Sequence, residues 1–186
     1  MEKKRFEDQL FEKQDTLAQG TYDNCEFRGC DFANANFSLL QFMDCRFVDC
    51  NLSLANLNAC RFNKVFFKSC KVLGLHFDHC NPFLLEVSFE DCQLNLSSFY
   101  RVNLKKTKFK NTNLEAVDFT EANLSEAIFD HCSLSKTIFD QTNLEKTDFR
   151  TAQDYTFDPE NNKIKKAKFH TSGVVGLLKK YDIQIE

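Results

Sequence analysis

Turn-forming residues are scarce in this chain. Its 186 residues include five Gly, two Pro and no Trp. A secreted scaffold held by disulfides uses an even cysteine count and many more turn residues, so the nine Cys need another explanation. A dominant charge is also missing, with 24 Lys and Arg against 27 Asp and Glu. That balance argues against a strongly basic nucleic-acid binder and against an extreme acidic decoy. No apolar run approaches the ~18 residues of a membrane span, and the charged stretch Met1–Lys13 has no apolar signal core. What the chain does hold in excess is Phe, with 21 residues.

The Phe residues fall into a repeat of period five. Tyr22, Phe27, Phe32, Phe37, Phe42, Phe47, Leu52, Leu57, Phe62, Phe67, Val72 and Phe77 form one unbroken series. A second runs Leu84, Phe89, Leu94, Phe99, Leu104, Phe109, Leu114, Phe119, Leu124, Phe129, Leu134, Phe139, Leu144 and Phe149. The step of seven from Phe77 to Leu84 places two extra residues within Asp78–Phe83. Two positions before each centre lies a small or modest side chain, and all nine Cys occupy this one slot. A metal site or a disulfide framework would not keep such a phase, whereas a packing rule does.

Period five matches neither a strand nor a helix. It suits a short extended stretch followed by a corner, with centre and slot pointing inward and the other three residues outward. One such unit cannot bury its own centre, so copies must stack. The unit Ala122-Asn123-Leu124-Ser125-Glu126 resembles the repeat of the pentapeptide-repeat family, and the resemblance covers roughly residues 20–150. It implies an all-β fold, a right-handed quadrilateral parallel β-helix with four pentapeptides per coil. Columns at period 20 then follow. Phe89, Phe109, Phe129 and Phe149 make one and Phe99, Phe119 and Phe139 the facing one. Leu84, Leu104, Leu124, Leu144 and Ile164 make a Leu column. Outward charges alternate at the same period, as in Glu86, Lys106, Glu126, Lys146 and in Glu90, Lys110, Asp130, Arg150. Cross-coil ion pairs are expected from that pattern.

The expected organisation is an N-terminal cap over 1–21, a β-helix over 22–170 interrupted near 78–83 and 153–162, and a C-terminal helix and tail over 171–186. Phe6, Phe11 and Leu17 are the expected anchors of the first cap. Val174, Leu177, Leu178 and Tyr181 follow the i, i+3, i+4, i+7 spacing of an amphipathic helix, with Thr171 or Ser172 as its cap. Ile183 and Ile185 alternate as in a short strand. The helix reads equally as an intramolecular cap and as a homodimer seam. The break at Asp78–Phe83 reads as a tolerated loop or as a partner contact through Phe83.

Reactive constellations do not survive the register. In Asp-His-Cys, at 78–80 and again at 130–132, the Cys points inward and the His outward, so no metal is expected there, and His76 and His170 stand alone. Buried, reduced thiols acting as small hydrophobes imply a cytoplasmic compartment. No catalytic residue, enzyme activity or cofactor is expected. The resemblance implies a non-catalytic interaction protein. Members of its quinolone-resistance and microcin B17 immunity branches bind DNA gyrase or topoisomerase IV by DNA mimicry and dimerise through their C-terminal ends. The tail Asp154 to Ile164, with Pro159, Glu160 and Asn162, followed by a Gly-Leu-rich stretch, is similar to the microcin-immunity layout. Glu115, Asp118, Glu121 and Asp140 are the acids expected to supply part of a mimic face, without direct nucleic-acid or membrane binding. The alternative is a scaffold or immunity module for another protein partner.

Overall fold

A computed structural model describes residues 4–184. The chain winds as a four-sided parallel β-helix. Two sides carry continuous sheets. One has four strands, β1 (Lys4–Glu7), β3 (Gly20–Asp23), β5 (Gln41–Met43) and β7 (Arg61–Asn63). The other has seven: β2 (Leu10–Glu12), β4 (Glu26–Arg28), β6 (Arg46–Val48), β8 (Val65–Lys68), β9 (Val87–Glu90), β10 (Lys108–Lys110) and β11 (Ile128–Asp130). All pair in parallel, with Phe27 on Phe47, Phe47 on Phe67 and Phe109 on Phe129. The other sides meet through single bridges such as Asn51 to Lys71 and Asn36 to Asn56.

The core is a set of aromatic and Leu columns. Phe89, Phe99, Phe109, Phe119, Phe129, Phe139 and Phe149 are all buried. Within a column the rings stack, at 5.0 Å and 7° for Phe109 on Phe129. Across the interior they meet edge to face, at 6.0 Å and 73° for Phe109 and Phe119. Both geometries suit the ring quadrupole.

The corners explain the shortage of glycine. Two residues past a centre the backbone enters the left-handed region, at Asn24, Asn34, Asp44, Lys106, Glu126 and their equivalents, and Gly takes that place only at Gly29 and Gly74. A Cβ at Gly74 would lie 2.8 Å from Leu54 Cδ2, a contact that the exposed Leu54 side chain can relieve by turning.

Two kinds of corner occur. In the closed kind the slot N–H donates back to the preceding centre's carbonyl, as from Ala55 to Leu52, Ala122 to Phe119 and Thr147 to Leu144. That is a β-turn with positive φ at its third residue. In the open kind, after a true strand, the slot N–H reaches instead to the next coil. There Cys30 N–H donates to Cys50 Sγ, Cys50 N–H to Cys70 Sγ and Cys70 N–H to Cys92 Sγ, at 3.4, 3.4 and 3.5 Å. Thiols at these slots are therefore acceptors for otherwise stranded backbone donors. They are donors too, as from Cys45 to the Tyr22 carbonyl at 3.3 Å. Burial pushes the Cys45 and Cys132 thiols up to about 12, so both stay protonated. All nine Cys are buried free thiols.

Two expectations change. Leu84 is not a centre. It is exposed and sits at a left-handed corner, φ 58°. Pro82 holds the centre register above Phe62 by sequence, and partly buried Leu85 packs against the core. The two extra residues thus follow the corner at Leu84 rather than preceding it. At the N-terminus, Phe6 stacks on Tyr22 and Phe11 on Phe27, at 4.7 and 5.1 Å. Residues 4–12 therefore begin the β-helix itself, offset by 16 residues instead of 20. Within the interruption at 153–162 the chain still turns side chains inward. Tyr155 and Phe157 are buried against Phe149, and Asn162 already occupies a slot, donating to the Phe139 carbonyl at 3.0 Å.

Candidate interaction surface

With centres and slots committed to the core, the outward side chains are what a partner can meet. Two of the four acids expected to form a negative face are matched by cations. Glu115 lies 3.3 Å from Lys136. Glu121 accepts from Arg101 at 2.7 and 3.0 Å and from the Tyr100 hydroxyl at 3.2 Å. The Arg101 hydrogen bonds hold the Glu121 carboxyl below its ordinary value. Asp118 accepts the Thr120 N–H at 2.8 Å. Among the described residues, Asp118 and Asp140 form no ion pair.

The charge ladders form only in part. Lys106 reaches Glu126 at 3.9 Å and Lys110 reaches Glu90 at 3.6 Å. Arg150 turns away from Asp130 and grips Asp148 in its own coil at 2.7 Å, while Asp130 accepts from His131 and Thr151. The nearer acid wins because a residue two positions along the same side needs no cross-coil reach. Lys105 also joins Glu126, at 3.6 Å, so the charge of the Lys-rich stretch 105–110 is partly offset.

Exposed apolar side chains concentrate at corners and at the break. Phe83 is 68% exposed and Leu84 61%. Beside them a hollow of about 220 Å³ is lined by Phe77, Asp78, Pro82, Leu85, Tyr100 and Arg101. Leu39, Leu54 and Leu96 are also exposed at left-handed corners. Sequence reasoning missed these Leu because the period fixes inward positions and says nothing about the corner residue.

The C-terminal end differs from the expected amphipathic helix. It is a short α-helix, α1 (Val175–Leu178), between two 3-10 turns, Thr171–Val174 and Lys179–Tyr181. The cap is His170, whose Nδ1 accepts the Ser172 N–H, rather than Thr171 or Ser172. Of the four apolar residues, Leu177 is buried and Leu178 half-buried, whereas Val174 and Tyr181 face solvent. The docking depends on Gly173 and Gly176, since a Cβ at either would strike Tyr155. Lys180 pins the element to Asp158 and Glu160 at 2.6 and 2.8 Å, and Tyr181 donates to Glu160 at 3.0 Å. Ile183 is exposed and outside any strand, and Ile185 lies beyond the described residues. No described helix is long and apolar enough to cross a membrane.

Comparison with known proteins agrees with this architecture. The model of the pentapeptide repeat region matches residues 21–83 and 83–169. No curated protein sequence matches. Two trypsin-treated variants of QnrB1, a plasmid-mediated fluoroquinolone resistance protein, superpose with a TM-score of 0.64 each. One is 15% identical, over 99% of this chain and 98% of that one, and the other is 14% identical over the whole of both. HetL, from the cyanobacterium Nostoc sp. and involved in heterocyst differentiation regulation, is 12% identical over 89% of this chain and 84% of that one, with a TM-score of 0.35. The repeat is matched along most of the sequence and its coil is seen directly, and on those grounds the chain belongs to the pentapeptide-repeat family.

Proposed function

We propose that this protein is a non-catalytic interaction rod that binds a protein partner through its outer faces. One observation carries the reading. The chain spends its inward residues on a filled core and presents an ordered exterior, broken by an exposed apolar projection, Phe83 and Leu84, beside a hollow. An exposed aromatic next to a concavity is the kind of anchor on which protein interfaces depend. Phe83→Asp should abolish capture of the partner from the source cell while leaving the thermal melt unchanged. Equal recovery by both proteins would refute the assignment of that face.

DNA gyrase or topoisomerase IV is the first partner to test, with protection from quinolones or microcin B17 as the outcome. The full-length likeness to the fluoroquinolone resistance protein QnrB1 motivates this choice. The local pairing of Glu115 and Glu121 weighs against a mimic that needs densely spaced negative charge. Titrating the protein into a supercoiling assay, with and without a quinolone or microcin, tests it. Absence of inhibition, protection and binding leaves a different protein partner as the reading. We also propose a cytoplasmic location, a reading that the buried free thiols support. We also propose dimerisation through the C-terminal end, where Val174, Val175, Tyr181 and Ile183 are exposed. Sedimentation at the mass of one chain would dismiss the dimer.

A further inference from the structure

One corner is built unlike its neighbours. In the column that runs through Leu39, Ala59, Arg101 and Glu121 the corner residue is left-handed each time. His79 occupies the same column, with its carbonyl accepting from Ala59, but here the chain makes a 3-10 turn over Phe77–His79. The turn swings His79 back over His76, and the two imidazoles stack at 4.8 Å and 13°. Asp78 lies against both, with Oδ1 3.3 Å from His76 Nδ1 and Oδ2 3.5 Å from His79 Nε2. The ligand atoms of all three residues lie within 4.8 Å of one another. His76 is thus not isolated, and the grouping uses it in place of Cys80, which points into the core.

We propose that His76, Asp78 and His79 form a binding site for a divalent transition-metal ion of the Zn²⁺ type. Two imidazoles and a carboxylate are the donor set such ions take when water fills the remaining positions. Metal–ligand bonds of about 2.0–2.2 Å in a tetrahedron put neighbouring donor atoms about 3.3–3.5 Å apart; each imidazole lies that far from one Asp78 oxygen, a different oxygen for each ring, so a turn of the exposed rings brings both onto one ion. A second observation points the same way. Asp78 Oδ1 is buried and receives no hydrogen bond, a costly state for a carboxylate oxygen that a bound cation relieves. Competing cations are turned elsewhere, since Arg101, next in the column, is held by Glu121. Both His side chains are more than half exposed, at 57% and 58%, so the ion has an open approach and the rings have room to turn onto it.

The test is calorimetric titration of the untagged full chain with ZnCl₂, repeated with Co²⁺ for its absorption spectrum. One ion per chain is expected, with a spectrum free of thiolate charge-transfer bands. His76→Ala and His79→Ala should each weaken binding at least about tenfold, whereas His131→Ala should not. Because both His are exposed, circular dichroism of these variants should show an intact fold. Absence of saturable binding, thiolate bands in the Co²⁺ spectrum, or unchanged affinity in the His76→Ala/His79→Ala double variant would each overturn the site.

Discussion

Residues 22–80 and residues 87–152 build the same coil from different chemistry. In the first region one coil holds four aromatic centres, Tyr22, Phe27, Phe32 and Phe37, and the slots are largely Cys. In the second, Phe alternates with Leu and the slots become Thr, Ala and Val. The hydrogen bonding is conserved while the donor changes. Cys50 Sγ donates to the Phe27 carbonyl at 3.3 Å, and Thr142 Oγ1 donates to the Phe119 carbonyl at 2.8 Å, each 23 residues back. The slot therefore takes a small or modest side chain, and a Cys or Thr there can bond to a carbonyl of an earlier coil. Where open corners predominate it also asks for an acceptor, and sulfur meets both needs within a tight volume.

That comparison can be broken experimentally. The largest effect is expected from Phe119→Ala. This ring stacks between Phe99 and Phe139 and meets Phe109 and Phe129 by their edges. Denaturant unfolding should show a loss of ~3–5 kcal/mol from the resulting cavity.

Next come two Cys of opposite corner type. Cys50→Ala removes the acceptor for the Cys30 N–H and should cost ~1–3 kcal/mol, the range for stranding a buried donor. Cys60 follows a closed corner, its own N–H bonded to the Leu57 carbonyl. Cys60→Ala should therefore cost clearly less in the same assay, and equal losses would dissolve the distinction between corners.

Thr142→Val keeps the shape and removes one hydroxyl. The Phe119 carbonyl retains the Ala122 N–H, so about 0.5–1.5 kcal/mol should be lost.

The smallest effect concerns the C-terminal clamp, which the first region lacks. Hydrogen bonds from Lys180 hold the Asp158 and Glu160 carboxyls below their ordinary values. Groups depressed in the folded state stabilise it above their unfolded pKa, and that stability is lost as pH falls through the folded one. Thermal melts of the wild type and Lys180→Met should therefore converge as pH drops below the carboxylate range, and the difference at neutral pH should shrink with salt.

Much of the rod was legible beforehand because a period of five leaves few ways to bury one face. Phe99, Phe109 and Phe129 could be placed by counting alone. Leu84 could not, since its side chain is as apolar as a centre and only the path around Pro82 turns it outward. Phe6 and Phe11 were legible as anchors, but their place in the coil was hidden by an offset of 16, which counting in steps of 20 passes over. On the candidate surface, the exposure of Phe83 followed from the interruption. The capture of Glu121 by Arg101 and the approach of His76 to Asp78 depend on backbone turns that residue order does not encode locally.

Within the unbroken series, sequence alone determined which side chains lie inside, because inward positions must be apolar or small at every fifth residue or the coils cannot stack. The tertiary structure decided how each corner is turned. A slot N–H can bond within its own turn or reach about 20 residues onward, and the choice depends on the neighbouring coil. From that choice follow the sulfur ladder through Cys30, Cys50, Cys70 and Cys92 and the single helical corner that gathers His76, Asp78 and His79.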